Sequence, residues 1–272
     1  MFRFSSLILL FTACACLSAA SKRIISLGPV ITDELFSIGA GDEIVGVTTY
    51  CIHPEAAKKK EKIGDTLTMN TEKIVSLKPD VIIATGLTHP TRVQKLRELG
   101  FNVVHFPQAA TFNAMCEQLL ELGTISGHSA EAKRVVAASK KRVNDIYAQT
   151  KLRAQRGVFL EIGIAPLFAV TTNSYINDII RYAGGSNIAS HFGIGMINRE
   201  AVIALNPDVI IIATMGVAGD DEIRQWKKHT TLTAVKKNAV YCIEPYGICS
   251  TTVASFPSVT ASLAALINNG AK

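Results

Sequence analysis

The amino-acid sequence predicts an α/β protein of two similar lobes with central parallel sheets, joined by one long α-helix. The first observation is a phrase that occurs twice, at 70–83 and 198–211, with a shared Asn, Glu, Leu, Pro-Asp pair and Val-Ile-Ile run. The offset, 198 − 70 = 128 residues, is far longer than a solenoid or propeller repeat. The second is an alternation of short apolar runs with helix-like stretches, which is typical of parallel sheets. The third is the segment 129–156, which has no Gly or Pro before Gly157.

The first lobe begins with a strand at 23–27, which Gly28-Pro29 ends. The next helix is predicted to be capped by Thr32, with Asp33 and Glu34 in its first turn, where negative charge suits the helix dipole. The remaining predicted elements are a strand at 44–47, a short helix capped by Asn70 or Thr71 and ended by Pro79, a buried strand at 81–84, a helix at 91–99 and a strand at 101–106.

The second lobe is predicted to repeat this order of elements. Its first strand, 157–162, is expected to end at Gly163 and Pro166. The other predicted elements are a helix at 175–182, buried strands at 209–213 and 239–243, and a closing helix at 251–267. Each lobe is expected to have its own core.

The segment 129–156 is rich in good helix formers and carries an apolar stripe at helical spacing. We therefore expect a signal peptide at 1–20, an N-terminal lobe at 21–128, a linking helix at 129–156 and a C-terminal lobe at 157–272. Because one helix resists bending more than several extended crossings, the predicted opening motion is small.

Composition indicates a globular protein, with 48% hydrophobic and 18% charged residues. The net charge of +6 does not indicate nucleic-acid binding, because no arginine-rich or aromatic-interleaved stretch occurs. The densest basic run, 58–60, is flanked by Glu55 and Glu61 and is typical of a solvated helix face.

The N-terminus has the pattern of an export signal. Arg3 precedes an apolar run at 7–11, and small residues at 18–20 suit cleavage. The run is too short to span a bilayer, so we expect an exported or periplasmic protein. The segment 11–14 also resembles a lipoprotein cleavage site, which leaves anchoring through Cys14 open.

Four cysteines remain after cleavage: Cys51, Cys116, Cys242 and Cys249. Disulfides persist in exported proteins, so one or two are expected, among three possible pairings. An alternative is a soft metal site across a cleft, formed by Cys51, His53, His89 and Cys249.

Glu72 and Glu200 occupy the same place in the two copies, in the first turn of a short helix. Each would stabilise its helix by about 0.3–1 kcal/mol. A pair of exposed carboxylates, one on each lobe, would also form a two-point dock for a partner with two basic pockets. The pattern alone leaves both interpretations open.

Several motifs, taken in this order, resemble the Fe/vitamin B12 class of periplasmic substrate-binding proteins, the receptors of ABC importers. They are RIISLGP at 23–29 with TDEL at 32–35, VGVTTY at 45–50, the two Asn-x-Glu copies, LKPDVI at 77–82 and YAGGSN at 182–187. The resemblance runs from Arg23 to the C-terminus and implies two α/β lobes linked by one long helix.

The same resemblance implies that Glu72 and Glu200 pair with arginines of a dimeric permease. It implies a cargo that is a metal chelate (an iron–siderophore, haem or a corrinoid), no cofactor of the protein's own, and a monomeric receptor. The vitamin B12 receptor pattern has tryptophans where this chain holds Thr66 and, approximately, Ile194. This departure weakens the case for a corrinoid.

The cargo is expected where loops leave the carboxyl ends of the parallel strands. The predicted contacts are Pro29, Tyr50, Thr85, Gly86, His89, Pro166, Phe168, Gly216 and Tyr246. Gly28, Pro29 and Gly216 could instead only turn the chain, and the two tyrosines could be packed walls rather than stacking surfaces. His89 could ligate haem iron as a neutral imidazole, whereas Trp226 is expected to pack within its lobe.

We expect no enzyme activity, because no P-loop, H-E-x-x-H, nucleophile elbow or dinucleotide fingerprint occurs. A receptor for a simpler metal ion, a chelatase-like enzyme and a surface adhesion or sensor protein remain as alternatives.

Overall fold

The structure is a computed structural model that describes residues 22–65, 68–214 and 219–269. The predicted signal peptide, Cys14, Thr66 and Gly216 lie outside the described residues. The described strands form two separate sheets, one from residues 24–106 and the other from residues 156–242. The predicted two-lobed α/β class is confirmed.

The N-terminal lobe alternates strands with helices. Its strands are β1 (Ile24–Ser26), β2 (Ile44–Val47), β3 (Val81–Thr85) and β4 (Val103–Phe106). Its helices are α1 (Pro29–Ser37), α2 (Glu55–Lys58), α3 (Thr71–Leu77), α4 (Pro90–Glu98) and α5 (Phe112–Ser126). All strand pairs are parallel, in the order β2-β1-β3-β4, so their carboxyl ends meet at one edge of the sheet.

Helix α6 (Ser129–Thr150) leads to the second sheet and packs against α5, a helix that the sequence analysis did not predict. It ends before the predicted boundary at 156. The Thr150 hydroxyl donates to the Tyr182 carbonyl oxygen at 2.8 Å, and Arg156 is already paired with Gly185 in the second sheet. Residues 151–155 form the connection between the helix and the next strand, which begins at Arg156.

The C-terminal lobe repeats the first topology and adds one strand. Its strands are β5 (Arg156–Ile164), β6 (Leu167–Ala169), β7 (Gly185–Asn187), β8 (Val209–Ile212) and β9 (Val240–Cys242). Its helices are α7 (Tyr175–Tyr182), α8 (Arg199–Leu205), α9 (Gly219–Lys227), α10 (Thr233–Lys236), α11 (Pro245–Cys249) and α12 (Phe256–Asn269). Strands β7, β5, β8 and β9 are parallel neighbours in that order, as β2, β1, β3 and β4 are.

Strand β5 is longer than predicted, because Gly163 and Pro166 do not end it at 162. The chain continues to Ile164 and returns as β6 in an antiparallel hairpin. Gly163 pairs with Phe168, and a Cβ there would lie 3.3 Å from the Phe168 side chain, so glycine allows the close approach. The second sheet is therefore mixed, and the hairpin extends beyond the carboxyl end of β8.

The repeated Pro-Asp pair has the same structural role in both lobes. The Asp80 carboxylate accepts a hydrogen bond from the Arg23 backbone N–H at 2.7 Å, just before β1. The Asp208 carboxylate accepts from the Gly157 N–H at 2.9 Å, at the start of β5. Each aspartate thus fixes the beginning of the central strand of its sheet. The repeated glutamates have no such role.

The hydrophobic core runs through both lobes, whereas the sequence predicted a separate core for each. One cluster joins buried residues of β1 and α1 with those of β5, α7 and α12, and two smaller clusters belong to single lobes. Phe112 of α5 stacks on Phe256 of α12 with ring centroids 4.1 Å apart, and its N–H donates to Asp178 of α7 at 2.9 Å. Separating the lobes would expose this buried apolar surface.

Helix α1 begins at Pro29, earlier than predicted, because proline suits the first turn, where its missing N–H is not needed. Thr32 is therefore not the cap, and its hydroxyl donates to the Ser26 hydroxyl at 2.9 Å. Asp33 and Glu34 lie beyond the first turn, so their predicted interaction with the N-terminal dipole is wrong. The closing helix α12 starts at Phe256 rather than 251, because α11 forms a separate helix before it.

Candidate functional site

The loops that leave the carboxyl ends of the two sheets meet each other. The rings of His53, which follows β2, and Tyr246, which follows β9, lie 4.4 Å apart. The Tyr246 hydroxyl also donates to Asp33 Oδ2 on α1 at 3.0 Å. Burial raises the pKa of Asp33, although the Tyr246 hydrogen bond and the nearby His53 oppose the shift. Ligands of open α/β sheets bind outside the carboxyl ends of the strands, so this junction marks the edge of a candidate cleft.

Three predicted contacts lie together on the N-terminal lobe. Pro29, Thr85 and Gly86 line one pocket with a volume of about 660 Å³, including the open space at its mouth. Gly86 passes so close to Gln108 that an added Cβ would lie 2.7 Å from the Gln108 backbone nitrogen. The rest of the lining is mostly apolar and comes mainly from α1, α5 and residues 106–109, with Tyr175 and Thr251 added from the C-terminal lobe.

Two further predicted contacts lie on the β5–β6 hairpin. Pro166 is exposed at its turn, and Phe168 is half-buried in β6. Phe168 forms an antiparallel bridge with Met196, which brings the segment before α8 against the hairpin. Gly216, another predicted contact on this lobe, cannot be placed because it lies outside the described residues.

Large apolar side chains are exposed around these loops on both lobes. They are Tyr50, Ile52 and Leu87 on the N-terminal lobe and Ile162, Ile194 and Met196 on the C-terminal lobe. Tyr50 is 54% exposed and Ile194 is 82% exposed. Exposed apolar side chains that gather at one place indicate a binding surface, whereas single ones elsewhere need no explanation. The segments beyond the carboxyl ends of the strands therefore carry exposed apolar side chains on both lobes.

The residues of the predicted soft metal site are not brought together. Among the described residues, no group of three or more His, Cys, Asp or Glu side chains could hold a metal ion. His89 caps α4 instead, with Nδ1 2.8 Å from the Thr91 hydroxyl. Cys51 is buried, with its sulfur 3.2 Å from the Thr32 and Thr48 hydroxyls, and the Cys249 thiol faces the Ala213 carbonyl.

The expected disulfides are not formed, because all four described cysteines are free thiols. Each occupies a different part of the fold: the loop after β2, helix α5, the end of β9 and helix α11. Burial raises the pKa of the Cys116 thiol to about 11, which keeps it protonated at neutral pH. The expectation from an oxidising compartment is therefore wrong for the described cysteines.

The two helices that carry the repeated glutamates are built alike. Asn70 caps α3 by accepting from the Lys73 N–H at 2.9 Å, and Asn198 caps α8 by accepting from the Ala201 N–H at 2.8 Å. Each helix ends at a residue with left-handed backbone, and each buries one apolar residue completely, Ile74 in α3 and Val202 in α8.

Glu72 and Glu200 are exposed on these two helices, in the first turn of each. Within the described part of the chain, neither carboxylate has a hydrogen-bond or ion-pair partner. The two side chains therefore offer one free negative charge on each lobe.

Sequence reasoning missed Glu34, a fully buried carboxyl group between the lobes. It accepts a hydrogen bond from the Val253 N–H at 2.6 Å and another from the Ser37 hydroxyl. Burial raises the pKa of Glu34 to about 8. It also missed the contact of Asp33 with Tyr246, although a helix start at Pro29 would have placed Asp33 on the same helical face as Pro29.

Replacing Glu34 by glutamine is expected to remove a pH dependence of stability. The folded state favours the protonated form, so the contribution of Glu34 is fully present below pH 4.5 and is lost as the pH rises through about 8. E34Q keeps an acceptor for Val253 and does not ionise. Thermal unfolding should therefore show E34Q more stable than the natural chain at pH 8.5 but not at pH 5. If the difference in Tm between E34Q and the natural chain were the same at pH 5 and pH 8.5, burial of an ionisable Glu34 would be contradicted.

Comparison with known proteins identifies the family of this chain. Residues 24–246 match the family model described as periplasmic binding protein. An uncharacterized ABC transporter substrate-binding lipoprotein of Bacillus subtilis is 29% identical over 82% of this chain and 73% of its own length.

Two solved structures share the fold over nearly the whole chain. The periplasmic vitamin B12 binding protein BtuF of Vibrio cholerae superposes with a TM-score of 0.79 and 25% identity, covering 92% of this chain and 98% of its own. A periplasmic heme binding protein from Pseudomonas aeruginosa superposes with a TM-score of 0.78 and 24% identity, covering 90% and 91%. The chain belongs to the periplasmic binding protein family, in the Fe/vitamin B12 class whose two α/β lobes are joined by one long helix.

Proposed function

We propose that this chain is the substrate-binding component of an ABC importer and that its cargo is a metal chelate with large apolar faces, of the haem or corrinoid kind. The observation that carries the proposal is the set of exposed apolar side chains at the carboxyl ends of the strands of both lobes. Such side chains contact the faces of a macrocycle, and a tyrosine such as Tyr50 also stacks on them. The similar protein BtuF is a vitamin B12 binding protein.

An iron–siderophore complex fits the cleft less well. Many such complexes are anionic and would need cationic side chains around them. The loops at 48–54, 85–89, 162–168 and 190–198 contain no Arg or Lys. A simple metal ion held by Cys51, His53, His89 and Cys249 is not favoured either, because the described residues do not assemble those ligands.

The receptor docks on a dimeric permease through Glu72 and Glu200. Support comes from their equivalent positions in the two lobes, their exposure and their lack of partners in the described part. One exposed carboxylate on each lobe complements one basic pocket on each permease subunit. Cargo contacts bias the cleft towards closure, and docking precedes a permease motion that spreads the lobes and releases the cargo.

The protein works outside the cytoplasmic membrane as a monomer, without a cofactor of its own and without catalysing a reaction. The segment 1–20 directs export, and Cys14 is a candidate site of lipid attachment. The relative from Bacillus subtilis is described as a lipoprotein. None of the described helices combines the length and the apolar character that crossing a bilayer requires.

Titration of the purified mature protein with cyanocobalamin and with haemin tests the cargo. At least one of the two is expected to bind in a 1:1 ratio, and native mass spectrometry should show the same complex. Ile194→Ser should weaken binding about 10- to 100-fold, because burying one such side chain contributes about 1.5–3 kcal/mol. Leu152, which is also 82% exposed but follows α6, provides the matched control Leu152→Ser. Binding of neither compound, or equal effects of the two variants, would contradict the proposal.

A further inference from the structure

A charged cluster lies under the docking helix of the C-terminal lobe. Arg199, the first residue of α8, directly precedes Glu200. Its guanidinium forms an ion pair with Glu222 of α9, whose side chain is only 4% exposed. The same guanidinium lies over the ring of Trp226, 4.5 Å from the ring centroid.

The cluster continues to the sheet at the candidate cleft. Trp226 is fully buried, and its Nε1–H donates to Glu161 Oε2 at 2.9 Å. Glu161 is also fully buried and pairs with Ile212 where the parallel part of β5 ends. The pKa of Glu161 is raised to about 7, chiefly by burial and also by the neighbouring Glu222 carboxylate, while the Trp226 hydrogen bond and Arg199 oppose the shift. A continuous set of contacts thus joins the carboxyl end of β5 to the first residue of α8.

Stability alone is a weak explanation for this cluster. Burying charges costs solvation, and a buried ion pair often contributes no more than apolar residues of the same volume. Here the pairing is also incomplete, because Glu161 Oε1 and Arg199 Nη1 have no hydrogen-bond partner among the described residues. The contacts with Glu222 and Trp226 do, however, hold the Arg199 side chain in one place, and this restricts the orientation of the backbone at residue 199.

The N-terminal lobe lacks this arrangement. By the offset of 128 residues, Thr71 occupies the place of Arg199. The basic residue beside Glu72 is Lys73, which pairs with Glu61 at the surface, where the two side chains are 37% and 49% exposed. Exposed pairs of this kind fix geometry weakly. The two docking helices are therefore alike in backbone but differ in how firmly their first turn is held.

We infer that Arg199, held by Glu222 and Trp226, is a positioning residue that sets the direction of Glu200, so that the C-terminal lobe presents a rigid docking point and the N-terminal lobe an adaptable one. This inference rests on the proposed function, in which Glu200 contacts the permease. It adds Arg199, Glu222 and Trp226 to the residues on which productive docking depends, although none of the three is required to touch the permease.

The inference is tested by complementation. Cells of the source organism that lack the gene for this protein receive each variant, and their uptake of labelled cyanocobalamin or haemin is measured. E222Q is expected to lower uptake roughly tenfold, the size of effect that follows when one interfacial charge is misplaced. Affinity for the probe, measured by titration, should not change. K73Q, which breaks the exposed pair next to Glu72, is the matched control and should leave uptake unchanged. R199K keeps the positive charge opposite Glu222 but loses the planar guanidinium over Trp226, so its uptake should lie between that of the natural chain and that of E222Q.

The decisive comparison uses a Glu200→Gln background. If Arg199 and Glu222 act through Glu200, E222Q should cause no further loss of uptake in that background. A further loss there would show a general structural effect and would overturn the inference. If E222Q showed normal uptake while E200Q showed reduced uptake, the inference about Arg199 would be overturned and the proposed docking through Glu200 would stand. Normal uptake by E200Q would instead overturn the docking part of the proposed function, and failure of both probes to bind in titration would overturn its cargo.

Discussion

Replacing Glu72 and Glu200 together by glutamine is expected to abolish uptake of the cargo while leaving its binding unchanged. Both carboxylates are exposed on short helices, and neither lines the pocket that Pro29, Thr85 and Gly86 line. Truncating one partner of a close interfacial charge pair costs about 2–5 kcal/mol when the pair is buried in the complex. Each single variant should therefore lower uptake at least about tenfold and the double variant more than about 100-fold. Uptake of the labelled chelate by complemented cells gives the measurement.

A control with the same change of charge separates docking from general electrostatics. Glu117 and Glu121 are exposed on α5, so E117Q/E121Q also removes two surface negative charges. This variant should take up cargo normally. The docking variants should fold normally, because a first-turn acid contributes only about 0.3–1 kcal/mol to its helix. Equal uptake by the two double variants would exclude Glu72 and Glu200 as docking points.

The repeated phrase predicted the fold well because its signals are local. An Asn cap, a buried apolar position and a Pro-Asp pair act within a few residues of each other, and both copies form the same helix and strand. The role of the two aspartates could be recognised only from the structure. Asp80 accepts a hydrogen bond from a residue 57 positions earlier in the chain, and Asp208 from one 51 positions earlier. Once the aspartates are explained, the glutamates stand out as repeated residues with no hydrogen-bond or ion-pair partner in the described part of the chain.

The candidate site could be predicted only in part. Pro29, Thr85 and Gly86 line one pocket, because the parallel topology brings residues at the ends of strands to one edge, whereas their contact with a cargo stays a prediction. Glu34 could not be found, because its burial depends on a contact with Val253 that is 219 residues away. For the four described cysteines, the sequence predicted a feature that the structure does not contain. An oxidising compartment permits a disulfide, but the distance and orientation of the two side chains decide whether it forms.

Replacing Phe112 by alanine is expected to destabilise the protein and to let the lobes move apart. Phe112 is 2% exposed, stacks on Phe256 and belongs to the cluster that runs through both lobes. Removing a buried phenylalanine side chain costs about 3–5 kcal/mol. The packing energy is lost at contacts between α5 and the helices of the C-terminal lobe. The open arrangement of the lobes should therefore become more populated relative to the closed one. Denaturant unfolding measures the first effect, and the radius of gyration from small-angle scattering of the cargo-free protein measures the second.

Phe159→Ala provides the matched control for lobe opening. Phe159 is also fully buried but belongs to a cluster within the C-terminal lobe, where its ring contacts Trp226 edge to face. The two variants should lose similar free energy of unfolding, yet only Phe112→Ala should increase the radius of gyration and release cargo faster. Increases of equal size would mean that general loosening, rather than the shared core, limits the motion. No increase in either would mean that α6 alone holds the lobes together, because the contact at Phe112 would then be dispensable for their arrangement.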